Sequence, residues 1–146
     1  MPELYADTDA WLVLLPIIRA ARRHALELYV VTRDFFAVDG SVHLILQEER
    51  VNSGAWIAAN IAAGDICVTG DPGLAASCIA RGARALSPAG RAWSGEGGAE
   101  SVLGSVANAQ ALARALDAVI NERRVAYAAP PHWPTHGRPR WRAAQG

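Results

Sequence analysis

The stretch Gly64 to Ala75, reading GDICVTGDPGLA, constrains the fold of this chain more than any other. Ile66-Cys67-Val68 is a short apolar run with two β-favouring members, the pattern of a strand buried on both faces. Thr69-Gly70-Asp71 ends that strand, and Asp71-Pro72 opens a helix with Asp as N-cap and Pro at the first helical position. The helix carries Leu74, Ala75, Cys78 and Ile79 on one stripe and stops at Gly82. A strand passing directly into a helix is the joint of an open α/β sheet, whose ligands sit at the carboxyl ends of the strands. Asp71 is therefore a carboxylate at a candidate site.

The rest of the chain supplies matching units. Leu4-Tyr5-Ala6 reads as a first strand leading into Asp7-Thr8-Asp9. A helix follows, with Trp11, Leu14 or Leu15, Ile18 and Ala21 at helical spacing. Pro16 lacks a backbone donor and crowds the preceding turn, so the regular helix is expected to begin near Leu15. Residues 26–32 and 42–46 read as strands, and a helix from Asn52 or Ser53 runs to a break at Gly64. Residues 83–86 form a brief strand, 91–105 a Gly-rich loop, and 106–123 a closing helix with Leu112, Leu116, Val119 and Ile120 on its apolar face. This alternation predicts a three-layer α/β/α sandwich with a mostly parallel sheet. We divide the chain into one α/β domain, 1–124, and an Arg-, Pro- and Trp-containing tail, 125–146.

A length of 146 residues suits one domain that buries roughly two-thirds of its unfolded surface. The formal net charge of zero conceals an asymmetry. Residues 1–122 carry −5 and residues 123–146 carry +5, from five arginines and no acid. Cys67 and Cys78 are too few for a disulfide framework and are read as buried, reduced core residues of a cytoplasmic protein. No secretory leader and no stretch of membrane-spanning length is expected, which leaves no membrane partner. The phosphate loop G-x-x-x-x-G-K-[ST] and the nucleophile elbow G-x-S-x-G do not occur, which excludes P-loop nucleotide hydrolysis and argues against a serine triad.

Asp7 and Asp9, the run Gly64 to Ala75, and Gly82-Ala83-Arg84-Ala85-Leu86-Ser87-Pro88-Ala89-Gly90 together resemble the YaiI/YqxD family of uncharacterised bacterial proteins. The segment ANAQALARALDAVI, Ala107 to Ile120, is similar to that family's closing helix. The resemblance implies a PIN-like domain, a group whose active members are metal-dependent nucleases. The chain departs from the family pattern at Trp11-Leu12-Val13, where the family has Cys-Pro-Val. It departs again at Val51-Asn52-Ser53-Gly54-Ala55, where the family is acidic. The segment between the Pro-x-Gly turn and the closing helix is also shortened. This describes a divergent member.

Asp7, Asp9 and Asp71 are the candidate catalytic and metal-holding carboxylates. Acids gathered at one sheet edge repel one another unless a cation intervenes, and an oxygen-only set suits Mg²⁺ or Mn²⁺. Such an ion polarises a phosphodiester and lowers the pKa of an attacking water. Each acid also has a structural reading, since Asp71 can cap its helix and Asp9 the first one. Thr69, Asn52 and Ser53 are candidate supporting groups. Asp65 reads as a turn residue at the opposite end of the strand. His132 and His136 lack the helix or Cys pair of a zinc site. In the tail, Arg138, Arg140 and Arg142 with Trp133 and Trp141 suit phosphate pairing and base stacking, or alternatively packing on a neighbouring subunit. Two functions are thus expected: a nuclease acting on RNA or DNA with an incomplete acidic site, or a non-catalytic module that binds RNA or a protein partner. The residues leave the oligomeric state open, a homodimer included.

Overall fold

The structure is a computed structural model and describes residues 2–7, 11–32, 40, 42–46, 53–94 and 108–127. Among these, Leu4–Asp7 forms β1, Trp11–His24 α1, Leu28–Thr32 β2, Val42–Leu46 β3 and Ser53–Asn60 α2. Ile66–Thr69 forms β4, Pro72–Ala80 α3, Arg84–Leu86 β5 and Ala109–Tyr127 α4. The strands make a single sheet in the order β3-β2-β1-β4-β5, with every neighbouring pair parallel.

Side-chain alternation along each strand divides the core into two layers. Leu4, Ala6, Leu28, Val30, Ile66 and Val68 point to one face and pack with Val13, Leu14, Ile17 and Ile18 of α1 and Leu112, Leu116 and Ile120 of α4. Tyr5, Val31 and Cys67 point to the other face and pack with Ile57 of α2 and Leu74 and Cys78 of α3. This is the three-layer sandwich that the strand–helix alternation predicts. All four residues of β4 are buried, as a central parallel strand requires.

Several elements differ from their expected bounds, α2 among them, which ends at Asn60 rather than at the break expected at Gly64. Helix α1 starts at Trp11 and runs through Pro16 instead of beginning near Leu15. Proline costs it the single bond that residue 16 would donate to Leu12, and the buried stripe Val13, Leu14, Ile17, Ile18, Ala20 and Ala21 offsets that loss. Strand β2 begins at Leu28, not residue 26, because Leu26 belongs to the end of α1. Its N–H donates to Ala21 O at 2.8 Å while Ala25 adopts φ 54°. Helix α4 extends to Tyr127, past the expected end at 123, and begins at Ala109. Residues 128–146 lie outside the described residues, and with them most of the expected tail.

The start of the resemblance's Pro-x-Gly turn follows from packing. Ser87 N donates to Arg91 O at 2.8 Å, and Gly90 takes φ 81°. A Cβ at Gly90 would stand 2.6 Å from the carbonyl of Ala111, so only glycine lets the turn lie against α4.

Candidate functional site

From β1 the chain winds outward through β2 to β3, then returns to β4 on the opposite side of β1. The crevice between the carboxyl ends of β1 and β4 is thus a topological switch point, where open α/β sheets hold ligands. Asp7 and Thr69 are register partners at that end. Each lies two residues beyond a side chain of the α2/α3 face, Tyr5 and Cys67, so both side chains turn to that face.

The Thr69 hydroxyl joins the two sides of the crevice. It accepts from Asp71 N at 3.0 Å and donates to Asp7 Oδ2 in a long contact of 3.4 Å. Asp71 has extended backbone angles, φ −94° and ψ 114°, and its Oδ1 accepts from Gly73 N at 2.9 Å. It is the N-cap that Asp-Pro predicts. Thr69 is buried, Asp7 half-buried and Asp71 exposed, so the edge runs from protein interior to solvent. Helix α2 starts beside α3: a Cβ at Gly54 would meet the Leu74 side chain at 3.8 Å. The backbone of Ser53 therefore begins a helix next to the start of α3, at the crevice end of the sheet.

Among the sequence-predicted residues, Asp7, Thr69 and Asp71 come together. Asp9, Asn52, Arg138, Arg140 and Arg142 lie outside the described residues, as do Glu48, Glu49, His132 and His136. Among the described residues no group of three or more His, Cys, Asp or Glu is placed to hold a metal ion.

Trp93 belongs to this edge although no motif marks it. Its indole N–H donates to Thr69 O at 2.9 Å, and its backbone N–H donates to Ala85 O at 2.9 Å. The bridge between Leu86 and Ala92 turns residues 87–93 back antiparallel to β5 and carries the ring, which is buried, over the end of β4. A tryptophan in a stretch otherwise too polar and Gly-rich for a core was the available signal.

At the opposite end of β4, Asp65 anchors the sheet. It is buried, with Oδ1 accepting from Glu3 N at 3.0 Å and Oδ2 accepting from Ala62 N at 2.9 Å. This is a larger role than the turn expected for it. Burial, reinforced by the negative charges of Asp65 and Glu3, pushes the Tyr5 phenol well above its ordinary range. Beneath the site, Cys67 and Cys78 are buried free thiols. A mutual hydrogen bond, with burial, raises the Cys67 thiol, and the same bond lowers Cys78 with help from the Arg81 charge.

No helix of the described residues is long and apolar enough to cross a membrane. The model of the uncharacterised YaiI/YqxD family matches residues 5–121. A UPF0178 protein of Azorhizobium caulinodans is 38% identical over 92 residues, 61% of this chain and 58% of the relative. A UPF0178 protein of Rhodopseudomonas palustris is 38% identical over 99 residues, 64% and 59% of the two chains. A UPF0178 protein of Rhodospirillum rubrum is 35% identical over 95 residues, 62% and 63%. The chain spans less than two thirds of the length of these curated relatives. No solved structure matches it. The family model covers the sheet from Tyr5 of β1 to β5 and nearly all of the apolar face of α4, and on that coverage the chain belongs to the YaiI/YqxD family.

Proposed function

We propose that this protein is a PIN-like phosphodiesterase of RNA or DNA that works with Mg²⁺ or Mn²⁺. The observation that carries this reading is the Thr69 hydroxyl, which contacts Asp7 Oδ2 and Asp71 N across the β1–β4 crevice. In it, Asp7, Asp9 and Asp71 hold the metal, with Thr69, Asn52 and Ser53 supporting. The donor chemistry fits: carboxylates and a hydroxyl are hard oxygen ligands, and Asp71 commits only Oδ1 to its helix cap. A bound ion supplies charge for the phosphodiester oxygens and a more acidic water. The protein's own groups orient this edge, with Thr69 fixed by Trp93 and Asp71 fixed by Gly73. Arg138, Arg140 and Arg142 contribute contacts to the phosphate backbone.

A second reading, a non-catalytic module that binds RNA or a protein partner, is favoured by the capping bond itself. A carboxylate that caps α3 has a structural reason to be there without any metal. Both readings assign the protein to the cytoplasm.

Cleavage of single-stranded RNA and DNA, assayed with Mn²⁺, with Mg²⁺ and with chelator, tests the choice. Metal-dependent cleavage abolished in Asp7→Asn supports the first reading. Binding of RNA that is unchanged by chelator, without cleavage, supports the second.

A further inference from the structure

Tyr5, Tyr29 and His43 stand in one row across the sheet, as register partners on β1, β2 and β3. They share the α2/α3 face with Asp7, which lies two residues further along β1. Tyr5 stacks on Tyr29 with ring centroids 5.2 Å apart and planes at 21°, and Tyr29 stacks on His43 at 4.8 Å and 19°. These separations are close to the spacing of hydrogen-bonded strands, about 4.8 Å, so strand pairing itself sets the stack. Trp56 of α2 leans on both tyrosines with tilted rings at 6.2 Å and 6.1 Å.

One end of the row is core and the other is open. Tyr5 is buried and Tyr29 half-buried, whereas the His43 side chain is 45% exposed although Tyr29 covers one face of its ring. His43 lies on β3, the last strand of the described sheet. Its Nε2 meets Glu27 Oε2 at 2.8 Å, which ties the imidazole by its edge. Cross-strand stacking accounts for the two tyrosines. It does not account for an exposed imidazole held parallel to them, because an exposed ion pair contributes little stability for the two side chains it orders.

We propose that the open face of His43 is a stacking site for a nucleobase of single-stranded RNA or DNA, the next ring in the row after Tyr5, Tyr29 and His43. The inference deepens the proposed action on RNA or DNA and rests on it for the class of ligand. Every base has a π-face, and a ring that is already ordered costs little to stack upon. The row also places the base relative to the candidate site. From His43 to Asp7 is two strands across and two residues along, about 12 Å between backbone positions. A short run of single strand spans that distance, so a base held at His43 leads its chain to the carboxylate edge. Glu27 lies two residues before Tyr29, on the amino-end side of the row, so its charge does not stand between the base and Asp7.

The test measures binding of fluorescently labelled single-stranded RNA and DNA of mixed sequence to the full chain by anisotropy, in chelator so that no strand is cut. Strands of the same length built of abasic sugars are the control. Wild type is expected to bind the base-bearing strands and to bind the abasic ones roughly tenfold more weakly. His43→Ala is expected to lose about the same factor on base-bearing strands, and His43→Phe, which keeps a ring, to stay within about threefold of wild type. Urea midpoints verify that both variants fold. Equal affinity for abasic and base-bearing strands, wild-type affinity in His43→Ala, or no binding of any strand by wild type overturns the stacking site. Repeating the assay with Mn²⁺ separates this inference from the phosphodiesterase reading. Base-dependent binding without cleavage upholds the stacking site and removes the reaction, whereas cleavage with an unchanged KM in His43→Ala does the reverse.

Discussion

The indole of Trp93 holds the backbone of Thr69, donating from Nε1 to its carbonyl oxygen at 2.9 Å across 24 residues of sequence. Thr69 meets Asp7 and Asp71 through its side chain, so one residue is fixed from both ends. Trp93→Phe keeps most of the buried ring area and leaves the Thr69 carbonyl without this donor. A loss of roughly 1–3 kcal/mol is expected, measured by urea titration with unchanged slope. An unaltered midpoint would mean that the indole bond contributes nothing.

Asp71 has two separable roles. As a cap, it is replaced well by Asn and poorly by Ala, so Asp71→Ala should cost about 1 kcal/mol and Asp71→Asn close to nothing. As a metal ligand, it is replaced by neither. Urea titration of both variants therefore isolates the cap, and metal titration of Asp71→Asn isolates the charge.

Gly90→Ala should destabilise the protein by roughly 3 kcal/mol, since the new Cβ meets the Ala111 carbonyl at 2.6 Å and the backbone holds φ 81°. Thermal unfolding checks this directly. Ala25→Gly is expected to act in the opposite direction, stabilising by about 1 kcal/mol, because Ala25 sits at φ 54° at the end of α1.

Asp117 links α4 to α1 by accepting from Arg23 Nη2 at 2.7 Å and meeting His24 Nε2 at 2.8 Å. Burial acts to raise its carboxyl, but the hydrogen bonds and charges of Arg23 and His24 outweigh it and leave the group lowered. A lowered folded value means that the folded state holds the proton less readily than the unfolded one. The stabilisation is therefore present above the unfolded carboxylate range, about pH 4, and is lost as pH falls through the lowered folded value. Its size is small, because the side chain is 39% exposed and solvent screens the pair. Stability measured from pH 6 to pH 2 should fall less steeply in Asp117→Asn than in wild type.

Local chemistry made part of this legible in the sequence. Asp71-Pro72 and Gly82 bound α3 because caps depend on adjacent residues, and strand alternation is enough to turn Asp7 and Thr69 to one face. Helix α1 was not legible through Pro16, because its stability comes from the sheet and α4, which a local propensity ignores. The same holds for Leu26, whose β-favouring neighbours conceal a helix-ending bond to Ala21. Trp93 on Thr69 is a contact between separate elements, and no spacing rule announces it.

The most direct measurement is calorimetric titration of Mn²⁺ and Mg²⁺ into wild type, Asp7→Asn and Asp71→Asn. Saturable binding is expected in wild type and is lost in both variants, while their urea midpoints stay near that of wild type. No binding to wild type at millimolar metal, or binding that survives both substitutions, would contradict that expectation and leave Asp71 as a helix cap alone.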